Sequence, residues 1–160
     1  QGLRDLQNEE TCRELIESLQ AKREELSVKH EEKQVPLVIK IAPDLSDDAI
    51  KGLAAVFSET RIDGVITTNT TIERDAVKGH ALAKEGGGLS GTPLSEKSTE
   101  VLALLRGEMD SSIPIIGSGG VMSAADARAK VDAGAALVQV YTGLVYRGAA
   151  LVREIAEEIG

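Results

Sequence analysis

Apolar positions along the chain alternate between two rhythms. Residues 9–30 set Cys12, Leu15, Ile16, Leu19 and Leu26 at helical spacing, with Asn8 available as N-cap, and predict an amphipathic helix. VPLVIKIA (35–42) is a short, mostly apolar run ended by Pro43-Asp44, as expected of a buried parallel strand. Ser46, followed by Asp47 and Asp48, caps the next helix, whose stripe is Ile50, Leu53, Ala54 and Phe57. GVITTN (64–69) predicts a second strand. After it comes a long irregular stretch, 71–94, holding Gly86-Gly87-Gly88 and Leu89-Ser90-Gly91. A stretch of that length in a compact domain is usually functional or disordered. A helix follows with Val101, Leu102 and Leu105 on one face, then a third strand, IPIIGSGG (113–120). A short helix with Ser123 as N-cap ends at Gly134, a fourth strand is ALVQVYT (136–142), and a final helix occupies about 148–159. Four strand–helix pairs in succession imply parallel strands with right-handed crossovers, an α/β architecture in one unit spanning 1–160.

The polar residues on the strands sharpen this. Leu37, Ile39 and Ile41 share one parity and should face the covering helices, which turns Lys40 to the opposite side, the interior if the sheet is part of a barrel. A lysine amid aliphatic residues is costly to bury, which favours an anionic partner over a purely structural role. The strands also end alike. They run into Ala42-Pro43-Asp44, Thr68-Asn69-Thr70, Gly117-Ser118-Gly119-Gly120 and Tyr141-Thr142-Gly143. In (β/α)8 barrels the active site lies at this face, and a phosphate site is frequently built from the loops after strands 7 and 8. The glycines on the penultimate strand suit it, because bare backbone can approach phosphate oxygens and donate N–H groups. The four strands then count as strands 5 to 8, the C-terminal half of a (β/α)8 TIM barrel. A whole barrel takes roughly 250 residues, more than the 160 here.

Composition removes other classes. With 42% apolar content the chain can build an ordinary core, while a net charge of −8 argues against nucleic acid as partner. Two Tyr and one Phe give no stacking platform for single strands. There is no apolar run of transmembrane length, and QGLRDLQNEE at the start is too polar for a signal peptide. The lone Cys12 cannot form an internal disulfide, which suits a reducing compartment. Met122 stands where a dinucleotide fingerprint needs its third glycine, and no P-loop occurs. His30 and His80 lack partners at metal spacing and read as surface residues. Asp47 and Asp48 fit the helix dipole better than acid–base work.

Several segments in order resemble the quinone-dependent class of dihydroorotate dehydrogenase: GLRDLQ (2–7), VIKIAPDLS (38–46), DGVITTNTT (63–71), GGLSGTPL (87–94), PIIGSGGVMSAADA (114–127) and AGAALVQVYTGLVYRG (133–148). The resemblance implies an FMN-containing barrel that oxidises dihydroorotate to orotate in pyrimidine synthesis and passes electrons to a membrane quinone. Carried over by position, Lys40 matches the lysine beside the flavin pyrimidine edge, where a cation stabilises charge developing on reduction. Thr68 matches a flavin-contacting threonine, and Asn69 and Thr70 the pair that hydrogen-bonds orotate. Gly91 matches a glycine touching FMN, and Gly119, Gly120, Tyr141 and Thr142 the donors that hold its phosphate. In the family the catalytic base lies just before the part matching Gly2-Leu3-Arg4, which places it upstream of Gln1. The resemblance therefore implies that these 160 residues contain no catalytic base and are a soluble fragment without turnover. The parent would be peripheral on the bacterial cytoplasmic membrane or the mitochondrial inner membrane, meeting quinone through an N-terminal region.

Two other readings remain open at this level. Lys40 could be the Schiff-base nucleophile of an aldolase with a sugar-phosphate site. The chain could also be a non-catalytic half-barrel module, whose open sheet edges near 35–42 and 136–142 would invite self-association.

Overall fold

The computed structural model describes residues 8–30 and 35–160, without the side chains of Lys29 and His30. Gln1, beyond which the catalytic base is expected, lies outside the described residues, as do segment 2–7 and the side chain of His30. The expected position of the base therefore has no structural counterpart here. Helices α1 (Glu9–His30), α2 (Asp47–Thr60), α3 (Ser95–Glu108), α4 (Ala124–Asp132), α5 (Thr142–Arg147) and α6 (Ala149–Ile159) alternate with strands β1 (Val38–Ile41), β2 (Gly64–Thr67), β3 (Ile115–Ser118) and β4 (Leu137–Gln139). All pairings are parallel, in the order β1-β2-β3-β4. This is half of a (β/α)8 barrel wall with its helical cover.

The caps sit where the sequence places them. Ser46 Oγ accepts from Ala49 N–H at 3.3 Å and Ser123 Oγ from Asp126 N–H at 3.2 Å. Asn8 Oδ1 accepts from Thr11 N–H at 3.0 Å. Each meets one of the donors that a helix start leaves without a backbone acceptor. Helix α1 differs from its predicted stripe, because only Cys12 and Ile16 are buried while Leu15, Leu19 and Leu26 are exposed. It packs along α2, which covers one flank of the stripe. Burial raises the Cys12 thiol pKa.

One side of the sheet makes the core. Ile41, Val65 and Ile115 point into it and meet Leu53, Phe57, Leu102 and Leu105 from α2 and α3. A smaller cluster joins Val121 and Ala127 to Leu151 and Ile155 of α6. Lys40 lies on the other face, as parity requires. Its register neighbours Ile66, Ile116 and Leu137 form a row across the sheet, and Leu137 is 62% exposed.

The C-terminal segment departs from expectation. The fourth strand ends at Gln139 rather than 142, and a separate helix, α5, precedes the last one. Gly143 is the reason at one end: a Cβ there would lie 2.3 Å from the Val121 carbonyl oxygen, so bare backbone packs where a strand side chain would project. At the other end Gly148, with φ of 61°, breaks α5 from α6.

Candidate functional site

The C-terminal ends of the four strands open into one cleft of about 470 Å³. Lys40, Thr68, Asn69, Thr70, Gly119, Gly120, Tyr141 and Thr142 all line it. Gly91 is buried just behind, with φ of 81°; a Cβ on it would stand 3.2 Å from Thr142 Cγ2.

Each wall has its own fixing. Thr68 N–H donates to Ser118 O at 2.8 Å and Asn69 N–H to Ile41 O at 2.7 Å, which carries the ladder one step past the strand end. Asn69 Oδ1 accepts from Thr70 N–H at 2.8 Å. Lys40 Nζ donates to Gln139 Oε1 at 3.3 Å, and Ser118 Oγ donates to the same oxygen at 3.2 Å. The Gln139 carbonyl thus spans the sheet between an ammonium and a hydroxyl. Ser90 and Thr142 hydroxyls meet at 2.9 Å and join the long loop to α5.

The loop after β2 is ordered by its own polar groups. Thr71 and Leu89 exchange backbone hydrogen bonds at 3.1 and 2.7 Å. Arg74 reaches the carbonyls of Thr71 at 3.2 Å and Gly87 at 2.6 Å, closing the loop on itself. Gly88 lies against Thr70 so closely that a Cβ would fall 1.7 Å from Thr70 Oγ1. At the loop base, Asp44 accepts from Thr71 Oγ1, from Ile72 N–H at 2.9 Å and from Lys97 Nζ at 3.2 Å. Partial burial pushes the Asp44 pKa up, but these three donors outweigh it and hold the carboxyl below its ordinary range. Lys97 also meets Glu73; its own burial opposes the charge, yet the two carboxylates keep its pKa raised.

The site is therefore polar, with Lys40 as its cation among the described residues, several hydroxyl and amide groups, and a glycine turn at one end. Its lining offers an ammonium, hydroxyl, amide and bare backbone groups of the kind that bind polar or anionic ligands. Among the described residues no group of His, Cys, Asp and Glu is arranged to hold a metal. His80 is exposed on the long loop, away from the cleft lining.

The dihydroorotate dehydrogenase family model matches residues 1–160. The chain belongs to the dihydroorotate dehydrogenase family. It is 52% identical over 158 residues to the dihydroorotate dehydrogenase (quinone) of Flavobacterium lutescens and 51% identical to that of Stenotrophomonas maltophilia strain K279a. Each alignment takes 99% of this chain and 45% of the relative. The crystal structure of the Eimeria tenella dihydroorotate dehydrogenase in complex with ferulenol superposes with a TM-score of 0.91 at 38% identity, using 99% of this chain and 46% of that one. The chain thus spans about half the length of the dihydroorotate dehydrogenases it matches. Membership in this family leaves the lysine aldolase reading without support.

Reading by sequence missed several members of the cleft. Ser90, Ser118 and Gln139 line it beside the named residues. Ser118 and Gln139 could have been found by extending the parity of Lys40 to β3 and β4, since all three occupy the same face.

Proposed function

We propose that the chain supplies the phosphate-binding end and one wall of the substrate pocket of an FMN-dependent dihydroorotate dehydrogenase, which oxidises dihydroorotate to orotate in pyrimidine synthesis with quinone as acceptor. The observation that carries this is one cleft lined both by the Gly119-Gly120 turn and by Lys40, Asn69 and Thr70. The donor set fits FMN, with backbone amides for a phosphate and a lysine for the edge of a ring that gains negative charge. FMN, when bound, supplies the two-electron acceptor for the substrate hydride.

The residues of this chain bind and orient. Gly119, Gly120, Tyr141 and Thr142 hold the phosphate, with Gly91 behind Thr142 allowing close approach. Lys40 and Thr68 meet the flavin, and Lys40 is kept on the cleft side by Gln139 at 3.3 Å. Asn69 and Thr70 take the amide, carbonyl and carboxylate groups of dihydroorotate, which need neutral hydrogen-bonding partners. The proton leaving substrate carbon is taken by a base upstream of Gln1, outside these 160 residues, so the chain alone is expected to show no turnover. Quinone and membrane contact belong to the rest of the parent protein. In this chain no described helix is long and apolar enough to cross a membrane.

Titration of the purified 160-residue chain with FMN, followed by flavin absorbance and fluorescence, tests the reading. A saturable spectral shift is expected, and Lys40→Met should weaken both FMN and riboflavin about tenfold, since it acts at the ring they share. A wild-type chain that leaves the FMN spectrum unchanged overturns the proposal.

The sheet favours a second property. Strands β1 and β4 each have one neighbour among the described residues, and Leu137 of β4 is largely exposed on the cleft side. Unpaired edges of this kind recruit other strands. Self-association is the expected result in sedimentation velocity, and a monodisperse monomer across concentrations would count against it.

A further inference from the structure

Lys130 is a buried charge that the fold alone does not explain. It sits in α4 with 0% exposure, beneath β3, its Cβ against Gly117 so closely that a Cβ on the glycine would lie 2.9 Å away. Its ammonium donates to three oxygens of the first turn of α3: the Ser95 carbonyl at 3.1 Å, Thr99 Oγ1 at 2.7 Å, and Ser98 Oγ. A buried charge is costly even when paired, so satisfying three oxygens that helix and solvent could satisfy at lower cost does not account for it.

The bond to Ser98 has a further effect. A serine hydroxyl has one proton to give. Ser98 Oγ lies 3.0 Å from the Ser95 carbonyl and 2.9 Å from the Gly119 carbonyl. Lys130 fills Ser98 Oγ as an acceptor, and Lys130 and the Thr99 hydroxyl (2.8 Å) both donate to the Ser95 carbonyl, so the Ser98 proton is steered to Gly119. The Gly119 carbonyl is thereby held toward α3. In a trans peptide the carbonyl and the following N–H point oppositely, so Gly120 N–H is turned away from α3. Both glycines have positive φ, 102° and 72°, a region in which peptide planes need outside restraint.

We infer that Lys130 is a positioning residue for an anion site: through Ser98 it fixes the Gly119-Gly120 peptide so that its N–H faces the phosphate of the cleft ligand. This rests on the flavin reading above for the ligand, though not for the geometry of the turn. Asp126, the acid nearest in effect to Lys130, is engaged by Met122 N–H at 3.0 Å and by the Ser123 hydroxyl at 2.8 Å. It therefore shares its charge with the cap of α4.

Comparing FMN with riboflavin, which lacks the phosphate, isolates the effect. For Lys130→Met, FMN binding by the 160-residue chain should weaken about tenfold or more while riboflavin binding stays as in wild type. A purely structural lysine would weaken both alike, and that outcome, or unchanged FMN affinity, overturns the inference. Ser98→Ala keeps the ammonium and removes the relay, so it decides on the same readout should Lys130→Met fail to fold. Inorganic phosphate, followed by the amide resonances of Gly119 and Gly120, separates this inference from the flavin reading. A wild-type chain that ignores flavin but whose Gly120 amide shifts with phosphate, with that shift lost in Ser98→Ala, keeps the role of Lys130 and refutes only the flavin. Amides that respond to phosphate equally in wild type and Ser98→Ala refute the relay, and amides that respond in neither refute the anion site.

Discussion

A Gly120→Ala chain is expected to lose flavin binding altogether and roughly 3 kcal/mol of stability. The methyl group would enter backbone, not a yielding side chain: its position is 2.3 Å from Ser95 Cα and 2.4 Å from Ser95 N. The φ of 72° adds strain that any L side chain must bear. Relief requires the turn to lift off the start of α3, and lifting it breaks the Ser98 contact with Gly119. Urea denaturation gives the stability and FMN titration the binding. Gly107→Ala serves as the control, because Gly107 lies in α3 with nothing within 4 Å of a Cβ. That change should stabilise by about 0.5–1 kcal/mol. Equal outcomes for the two substitutions would show that the turn does not depend on contact with α3.

The second large effect is a stability that rises with alkalinity. Burial lowers the Lys130 pKa from 10.5 to about 8, opposed in part by Asp126. Between those values the unfolded chain binds a proton that the folded chain has released, so folding becomes more favourable as pH increases through the window. The displacement corresponds to on the order of 3 kcal/mol, withheld at neutral pH and recovered above about pH 10. Lys97 acts the other way, since its raised pKa contributes stability that is lost only above the ordinary lysine range. Denaturant midpoints for wild type and Lys130→Met at about pH 7 and 10 should diverge: an upward slope for wild type, a flat or falling line for the variant. Parallel lines would mean that the ammonium titrates normally.

Much of the site was legible in the residues alone. Strand parity put Lys40 on the face opposite the core, and barrel anatomy put the Gly119-Gly120 turn and Thr142 at one end. Both follow from periods local to a few residues, which a sequence displays directly. The caps at Ser46 and Ser123 are equally local. Lys130 was invisible for the opposite reason. A lysine on a helix normally marks the wet face, and its three acceptors come from residues 31 to 35 positions earlier. The early end of β4 and the helix α5 were missed because ALVQVYT (136–142) reads as one continuous strand. Only the approach of Gly143 to Val121 shows why the backbone turns there. The resemblance to dihydroorotate dehydrogenases supplied roles that spacing could not, and the family match sustains the assignment at the level of family.

The Asp44 junction sets an order of assembly. Its carboxylate joins Thr71, 27 positions on, to Lys97, 53 positions on. Closing such loops costs chain entropy before any contact offsets it, so the local helices are expected to form before this junction. Thr70, the neighbour of Thr71, takes its final place only once α3 has docked and Lys97 has arrived. In the native ensemble the same dependence predicts that the Thr70-Thr71 wall of the cleft opens locally before the sheet does. Amide exchange at Thr70 and Thr71 is then expected to run faster than at the paired amides of β1 to β3, and equal protection would place the junction in the cooperative unit of the sheet itself.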